Sequence, residues 1–258
     1  MTTSLITGAT SGLGAAFARR LAADGHRLVL VARDEERLAR AAADLLTRYN
    51  TAAEVLPADL ADDDGIASVE ARLRDPDRPV HVLVNNAGFG NGGGFLDVPV
   101  AQELRMLKVH CEAVLRLTSA AVPAMRERRR GFVINVASVA AFMSRGTYGA
   151  SKAWVVSFTE GVAQELAGSG VRFLALCPGF VRTEFHARAG MDASKVPSWA
   201  WLNANKVVAT ALRDLARDRT VSVPDPRYKL AVALTRHLPT SLYAAASTRT
   251  GRRYDPKF

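Results

Sequence analysis

The sequence predicts an α/β protein, a single domain over residues 1–258 with a doubly wound parallel sheet of about seven strands and helices on both faces. Short β-type runs recur along the chain, and most are continuously apolar, as expected for strands buried on both faces. Segments of helical periodicity separate them, which implies right-handed crossovers and a parallel sheet. The predicted strands are residues 4–6, 27–32, 53–58, 80–85, 132–137, 171–177 and 220–223.

Composition excludes several classes of protein. The chain has 258 residues, 48% of them hydrophobic, which is enough for a substantial core. Cys111 and Cys177 lie inside apolar patterns, so we expect neither a disulfide framework nor a metal site, and we expect a cytoplasmic location. The first strand begins close to Met1, which predicts no signal or transit peptide. No apolar run approaches the ~18–20 residues of a membrane span.

The net charge of +9 raises the question of an acidic partner. Arginines are scattered through helical segments, with small clusters at 126–130 and 249–253. Neither cluster alternates with stacking aromatics, as a single-strand binder requires. A solvated arginine-rich surface is therefore favoured, and nucleic-acid binding rests on net charge alone.

A glycine-rich stretch, TGATSGLG at residues 7–14, joins the first strand to the first helix. Gly8, Gly12 and Gly14 permit backbone conformations and close approaches that a Cβ would block. The following helix directs its N-terminal amides and positive dipole end at the loop, which suits a pyrophosphate. The spacing differs from the common G-x-G-x-x-G fingerprint.

The end of the second strand, LVLVARDEERL, indicates which nicotinamide dinucleotide is preferred. A carboxylate there would accept hydrogen bonds from a ribose 2′-hydroxyl, as in NAD binders. The first polar residue is instead Arg33, which suits a 2′-phosphate. Asp34 fits the N-cap of the next helix. The sequence therefore predicts NADP(H) over NAD(H).

The stretch GTYGASKAW at 146–154 places Tyr148 and Lys152 on one face of a helix. An ammonium beside a phenol favours the ionised phenolate. Ser138 ends the preceding apolar stretch and adds a hydroxyl. We interpret these residues as a proton-transfer group with a neighbouring cation; the alternative is an ordinary helix start with a surface lysine.

Taken together, these motifs resemble the short-chain dehydrogenase/reductase family, in its single-domain branch of about 250 residues with a Rossmann-type fold. The matching stretches occur in the family's order between residues 4 and 183. They are TGATSGLG (7–14), ADL (58–60), NNAG (85–88), Ser138, YGASK (148–152) and CPGFVRT (177–183).

The resemblance implies a role for each matching residue. Ser138 is expected to hydrogen-bond the substrate oxygen, Tyr148 to transfer the proton, and Lys152 to hold the nicotinamide ribose and keep Tyr148 acidic. Asp59 is expected to meet the adenine, and Asn85 to line the adenosine ribose and stabilise its strand. The implied cofactor-binding residues are Gly8, Thr10, Ser11, Gly12, Leu13, Gly14, Arg33, Asp59, Leu60, Asn85, Ala87, Gly88, Tyr148, Lys152, Pro178, Gly179 and Thr183.

Two departures from the family pattern stand out. Ser138 and Tyr148 are ten residues apart, two or three fewer than is common in the family. His110, in LKVHCEAV, stands where the family has a catalytic Asn. An imidazole with a pKa near ~6.5 can exchange protons around neutrality, so His110 is a candidate member of a proton relay. The alternative is a packed helix residue.

Two regions break the strand–helix rhythm. Residues 180–205 contain Phe180, Phe185, Trp199 and Trp201, which suggest a substrate loop for a lipophilic substrate, although core or interface positions would also explain them. Residues 224–258 form a C-terminal helical and tail segment. We favour a closing helix there over a surface amphipathic helix or a partner contact.

The sequence thus predicts an NADP(H)-dependent oxidoreductase that interconverts a carbonyl and an alcohol by hydride transfer on a small lipophilic substrate. The alternative is a non-catalytic nucleotide sensor or scaffold on the same fold, but retention of Tyr148 and Lys152 favours an enzyme. The partner expected is a small-molecule carbonyl or alcohol substrate, not a nucleic acid, and no membrane span is expected. The oligomeric state, homodimer or homotetramer, stays open.

Overall fold

The computed structural model describes residues 2–143, 146–190, 192 and 196–237. A seven-stranded sheet lies at the centre, in the order β3-β2-β1-β4-β5-β6-β7 with every pair parallel. The predicted fold class is therefore confirmed. The strands are β1 (Thr3–Thr7), β2 (Arg27–Ala32), β3 (Ala53–Pro57), β4 (Val82–Asn85), β5 (Gly131–Val136), β6 (Val171–Leu176) and β7 (Val221–Ser222).

Helices connect the strands, with a π-helical turn at Lys108–Glu112 between α4 and α5 and 3₁₀ turns at Val139–Phe142 and Ser198–Ala200. The part of the chain that the structure describes contains no helix long and apolar enough to span a bilayer. The helices are α1 (Gly12–Ala23), α2 (Glu35–Tyr49), α3 (Asp63–Arg74), α4 (Val100–Leu107), α5 (Ala113–Glu127), α6 (Gly146–Glu165), α7 (Phe185–Arg188), α8 (Ala204–Ala216) and α9 (Pro226–His237).

Both faces of the sheet are covered, because successive strand residues point to opposite sides. Ile6 and Leu30 belong to the core cluster that includes residues of α1, α2 and α8. Leu5 and Val29 belong to the cluster on the other face, with residues of α3 and α5. Burial on both faces is why the strands are continuously apolar in sequence.

The strand order creates a crevice at one position of the sheet. The chain winds outward from β1 to β2 and β3, then returns to place β4 on the other side of β1. Ligands of open α/β sheets bind at such a switch point, outside the carboxyl ends of the strands. Gly8 follows β1 and Asn86 follows β4, so the loops that carry them flank this crevice.

Candidate active site

A cleft of about 800 Å³ opens at the carboxyl ends of the strands. It is lined by most of the residues that the sequence singled out, together with others from α2, α4 and α9. Three predicted residues, Gly14, Asn85 and His110, lie outside its lining. The predicted residues that line it are Gly8, Thr10, Ser11, Gly12, Leu13, Arg33, Asp59, Leu60, Ala87, Gly88, Ser138, Tyr148, Lys152, Pro178, Gly179 and Thr183.

The loop between β1 and α1 has the shape of a phosphate cradle. Gly8 and Gly12 have φ of +65° and +55°, a left-handed conformation that other residues rarely adopt. A Cβ on Gly14 would overlap the carbonyl oxygen of Gly8, so glycine there allows the loop to lie on the helix. Ser11 is the N-cap of α1, and the first turn of this helix carries no acidic residue. These features fit a bound pyrophosphate.

The ends of β1 and β4 are tied together beside this loop. The Thr7 hydroxyl oxygen accepts from the backbone amides of Asn86 and Ala87, each at 2.9 Å. The Asn86 side chain donates to the Thr7 carbonyl at 2.8 Å. These bonds fix the crevice wall, and Asn86 lines the cleft.

Asn85, which the resemblance places at the adenosine ribose, points into the protein interior instead. Its amide donates to Asn135 Oδ1 at 2.9 Å and to Thr118 Oγ1 at 3.2 Å, and the residue is buried. The structure therefore gives Asn85 the strand-stabilising part of its expected role, joining β4 to β5. Its neighbour Asn86 occupies the cleft wall.

Charged residues gather at the β2 and β3 end of the cleft. Asp34 caps α2 as predicted, accepting from the Arg37 amide at 2.9 Å. The Arg33 side chain is 68% exposed and lies 3.9 Å from the Asp59 carboxylate. Asp59 also accepts from Arg105 at 2.6 Å, a contact that the sequence analysis missed. Two arginines therefore flank the carboxylate expected near the adenine.

Tyr148 and Lys152 share one face at the start of α6. The Lys152 ammonium nitrogen lies 5.8 Å from the centroid of the Tyr148 ring and donates to the Val136 carbonyl at 3.1 Å. Lys152 is 6% exposed, so it is not a surface lysine. Burial lowers its pKa from 10.5 to about 8. An amine with this pKa is still largely charged at neutral pH.

Ser138 follows β5 and opens the 3₁₀ turn that leads toward Tyr148. Its Oγ accepts from the Ala140 amide at 3.1 Å, which leaves the hydroxyl hydrogen to be donated to a substrate oxygen. Both Ser138 and Tyr148 line the cleft despite their short separation in sequence. Residues 144–145 of the connecting loop lie outside the described part.

His110 sits in the π-helical turn, behind the wall formed by Gly88. Its Nε2 accepts from the Phe89 amide at 3.2 Å, and its Nδ1 lies 3.0 Å from Ser151 Oγ. Burial, reinforced by the charge of Lys152, holds the pKa of His110 well below 6.5. The side chain is 1% exposed and lies near a cation, and both features oppose titration of this imidazole around neutrality.

Aromatic residues surround the other end of the cleft. Phe180 and Phe185 line it, and the Phe185 ring centroid lies 6.1 Å from that of Tyr148. Trp201 packs behind Phe180 at 5.8 Å, whereas Trp199 is exposed and lies outside the cleft lining. His186 joins this cluster and lines the cleft. Residues 191 and 193–195 of the predicted substrate loop lie outside the described part.

Helix α9 forms part of the cleft wall, whereas the sequence favoured a closing helix in this segment. A Cβ on Gly179 would overlap the Tyr228 ring, whose hydroxyl donates to the Ala200 carbonyl at 2.8 Å. The Phe180 amide in turn donates to the same hydroxyl at 3.2 Å. Residues 238–258 of the predicted tail lie outside the described part.

The cradle, the crevice and Tyr148 beside the buried Lys152 define the class of protein: a nucleotide-binding oxidoreductase. A family model described as short chain dehydrogenase matches residues 2–193. The chain belongs to the short-chain dehydrogenase/reductase family.

Individual relatives and solved structures agree with this assignment. Sulfoacetaldehyde reductase 2 of Chromohalobacter salexigens is 39% identical over 194 residues, which cover 73% of this chain and 76% of that protein. A short-chain dehydrogenase from Sphingobium yanoikuyae in complex with NADPH is 35% identical, with a TM-score of 0.83 and coverage of 97% and 94% of the two chains. One from Burkholderia phymatum in complex with NAD is 29% identical, with a TM-score of 0.80 and coverage of 93% and 94%.

Proposed function

We propose that this protein is an NADP(H)-dependent oxidoreductase that interconverts a carbonyl and an alcohol on a small lipophilic substrate. The observation that carries the proposal is Tyr148 beside the buried Lys152 ammonium, in the same cleft as the glycine cradle. A protein that only sensed the nucleotide would need the cradle but not a phenol beside a buried ammonium.

The cofactor would supply the hydride chemistry, and side chains of the protein would supply proton transfer and hydrogen bonds. The nicotinamide, when bound, supplies or accepts the hydride. In the reductive direction, Tyr148 donates a proton to the carbonyl oxygen, and Ser138 donates a hydrogen bond to that oxygen. Lys152, held by the Val136 carbonyl, places its charge near the phenol ring and stabilises the phenolate that proton transfer leaves behind. In the oxidative direction, the phenolate accepts the alcohol proton.

The preference for NADP(H) rests on the cations at the β2 end. Arg33 is exposed beside the cleft, where a 2′-phosphate could pair with it at little cost in desolvation. Arg37 also lines the cleft, and its guanidinium lies 3.3 Å from the Glu184 carboxylate. Arg33 pairs with Asp59 at 3.9 Å, a long contact that a phosphate can replace.

The aromatic residues support a lipophilic substrate. Phe180 and Phe185 line the cleft, and the Phe185 ring lies beside that of Tyr148, so the group attached to the reacting carbon would lie against these aromatic side chains. Burial of such a group contributes about 25 cal/mol per Å² of apolar surface. We therefore expect aryl and longer alkyl ketones and aldehydes to be better substrates than short polar ones.

A screen of carbonyl compounds and alcohols with NADPH and NADH, followed by the absorbance of the reduced nicotinamide, tests the proposal. Tyr148→Phe should lower turnover of the best substrate by roughly 10²–10⁴-fold while NADPH binding stays nearly intact. Tyr49→Phe, in α2 and outside the cleft, is the matched control. If the wild type binds NADPH but turns over none of these compounds, the sensor alternative replaces the enzyme. If Tyr148→Phe keeps full turnover, Tyr148 is not the proton donor.

A further inference from the structure

An unbroken chain of hydrogen bonds connects the loop after β4 to the backbone of Tyr148. The Phe89 amide meets His110 Nε2 at 3.2 Å, His110 Nδ1 meets Ser151 Oγ at 3.0 Å, and Ser151 Oγ meets the Tyr148 carbonyl at 2.8 Å. One end of this chain is an amide, which can only donate, and the other is a carbonyl, which can only accept. The position of every proton between them is therefore determined.

The direction of the chain fixes the state of the imidazole. Nε2 accepts from Phe89, so it carries no proton, and Nδ1 must carry the proton that it donates to Ser151. A protonated His110 would turn a second N–H toward the Phe89 amide. The groups that face the ring oppose that charge as well: the Lys152 ammonium repels it, and the Tyr148 and Phe89 rings bury it.

We propose that His110 and Ser151 are positioning residues, a neutral strut that holds the first turn of α6 against the loop at Gly88 and so sets where the Tyr148 phenol lies. The proposal rests on the proposed function of Tyr148 as the proton donor. It differs from a relay, because no proton leaves the imidazole during turnover. The packing at Gly88 agrees with a rigid strut: a Cβ there would lie 2.9 Å from His110 Nε2 and 3.6 Å from the Lys152 amine.

Two substitutions test the two ends of the strut separately, because each can make only one of the two His110 hydrogen bonds; we call them half-mimics. In His110→Asn the side-chain amide can stand in for Nδ1 and donate to Ser151, but it is too short to reach the Phe89 amide. In His110→Gln the side-chain oxygen can stand in for Nε2 and accept from Phe89, but the Ser151 contact is lost. Each half-mimic should lower kcat by about two- to tenfold, the effect of losing one neutral hydrogen bond. His110→Phe, which loses both, should fall further.

Ser151→Ala tests the second link of the strut. It should lower kcat by a similar two- to tenfold factor and leave the affinity for NADPH unchanged. It should have no further effect in a His110→Phe background, where the chain is already broken. Ser157→Ala, an exposed serine of the same helix, is the matched control and should match the wild type. Wild-type kcat in Ser151→Ala, or full additivity with His110→Phe, would overturn the proposal.

The tautomer can be read without any turnover. In the full chain labelled with ¹⁵N-histidine, without and with NADPH, the His110 signals, assigned by their loss in His110→Gln, should show a protonated Nδ1 and a bare Nε2 at every pH between about 6 and 9. An Nε2–H tautomer, or titration within that interval, overturns the strut even if the enzyme is active. Conversely, the expected spectrum from a protein that reduces no carbonyl leaves the strut in place and rejects the proposed function. If His110→Gln fails to fold, loss of the same signals in His110→Asn or His110→Phe assigns them, and the wild-type spectrum still decides.

Discussion

Lys152 makes the stability of the unliganded protein depend on pH in a characteristic way. Burial moves its pKa from 10.5 to about 8. One pKa unit corresponds to about 1.36 kcal/mol, so the charged form costs the folded state ~3 kcal/mol relative to the neutral amine. Below pH 8 the Lys152 amine binds its proton in both the folded and the unfolded state. Between about pH 8 and 10.5 only the unfolded state binds it, so the free energy of unfolding rises with pH there.

The perturbation is Lys152→Met, which keeps an apolar chain of similar length but cannot be charged. The excess stability of the variant over the wild type should be largest near pH 7 and shrink by about 2–3 kcal/mol by pH 10, with a slope of ~1.4 kcal/mol per unit above pH 8. Titrating groups that do not interact with Lys152 are common to both proteins and cancel in the difference. Urea unfolding at several pH values measures it.

Lys206→Met, at an exposed position of α8, controls for the loss of a lysine and should show no such change. If the stability curves of Lys152→Met and wild type run parallel from pH 7 to 10, the ammonium is not held in a desolvated site. The proposal that the buried Lys152 ammonium stabilises the Tyr148 phenolate would then be wrong.

Three further outcomes test the cofactor side of the cleft. Arg33→Ala should weaken NADP(H) binding by about 1.5 kcal/mol, the lower end for a charged hydrogen bond because the site is exposed, and leave NAD(H) unchanged in calorimetric titration; equal losses for both cofactors would contradict the 2′-phosphate assignment. Gly14→Ala should push the loop away from Gly8, lowering cofactor affinity and costing ~1–3 kcal/mol of stability, which unchanged NADPH binding and Tm would refute. Gly179→Ala should displace Tyr228 and speed proteolysis within α9; digestion at the wild-type rate would show that the contact adjusts freely.

The features predicted correctly from sequence are those that local geometry encodes. The seven strands follow from continuous apolar runs, because both sheet faces are covered. The cradle follows from glycines whose φ values exclude other residues, and Tyr148 and Lys152 meet because they are one helical turn apart. Each of these signals lies within a few neighbouring residues.

What the sequence analysis missed depends on contacts between distant segments. Arg105 reaches Asp59 across 46 positions of sequence, and Tyr228 reaches the Phe180 amide across 48. A pattern within a few neighbouring residues does not predict contacts between residues so far apart in sequence. The pKa of His110 is set by burial beside Lys152, which a helical pattern alone does not reveal. The resemblance assigned Asn85 to the cleft, but Asn85 points into the interior and Asn86 lines the cleft. Successive strand residues point to opposite faces, so alternation along β4 was the signal that could have distinguished the two.

The contact between Tyr228 and Gly179 joins two segments that leave the ribosome at different times. A ribosome releases the chain from its N-terminus, so the cradle, Tyr148 and Lys152 leave it well before α9. Until Tyr228 arrives, the backbone at Gly179 and Phe180 lacks the ring and the hydroxyl that hold it. A nascent chain therefore carries Tyr148 and Lys152 before Tyr228 is present, and α9 adds its part of the cleft wall after them.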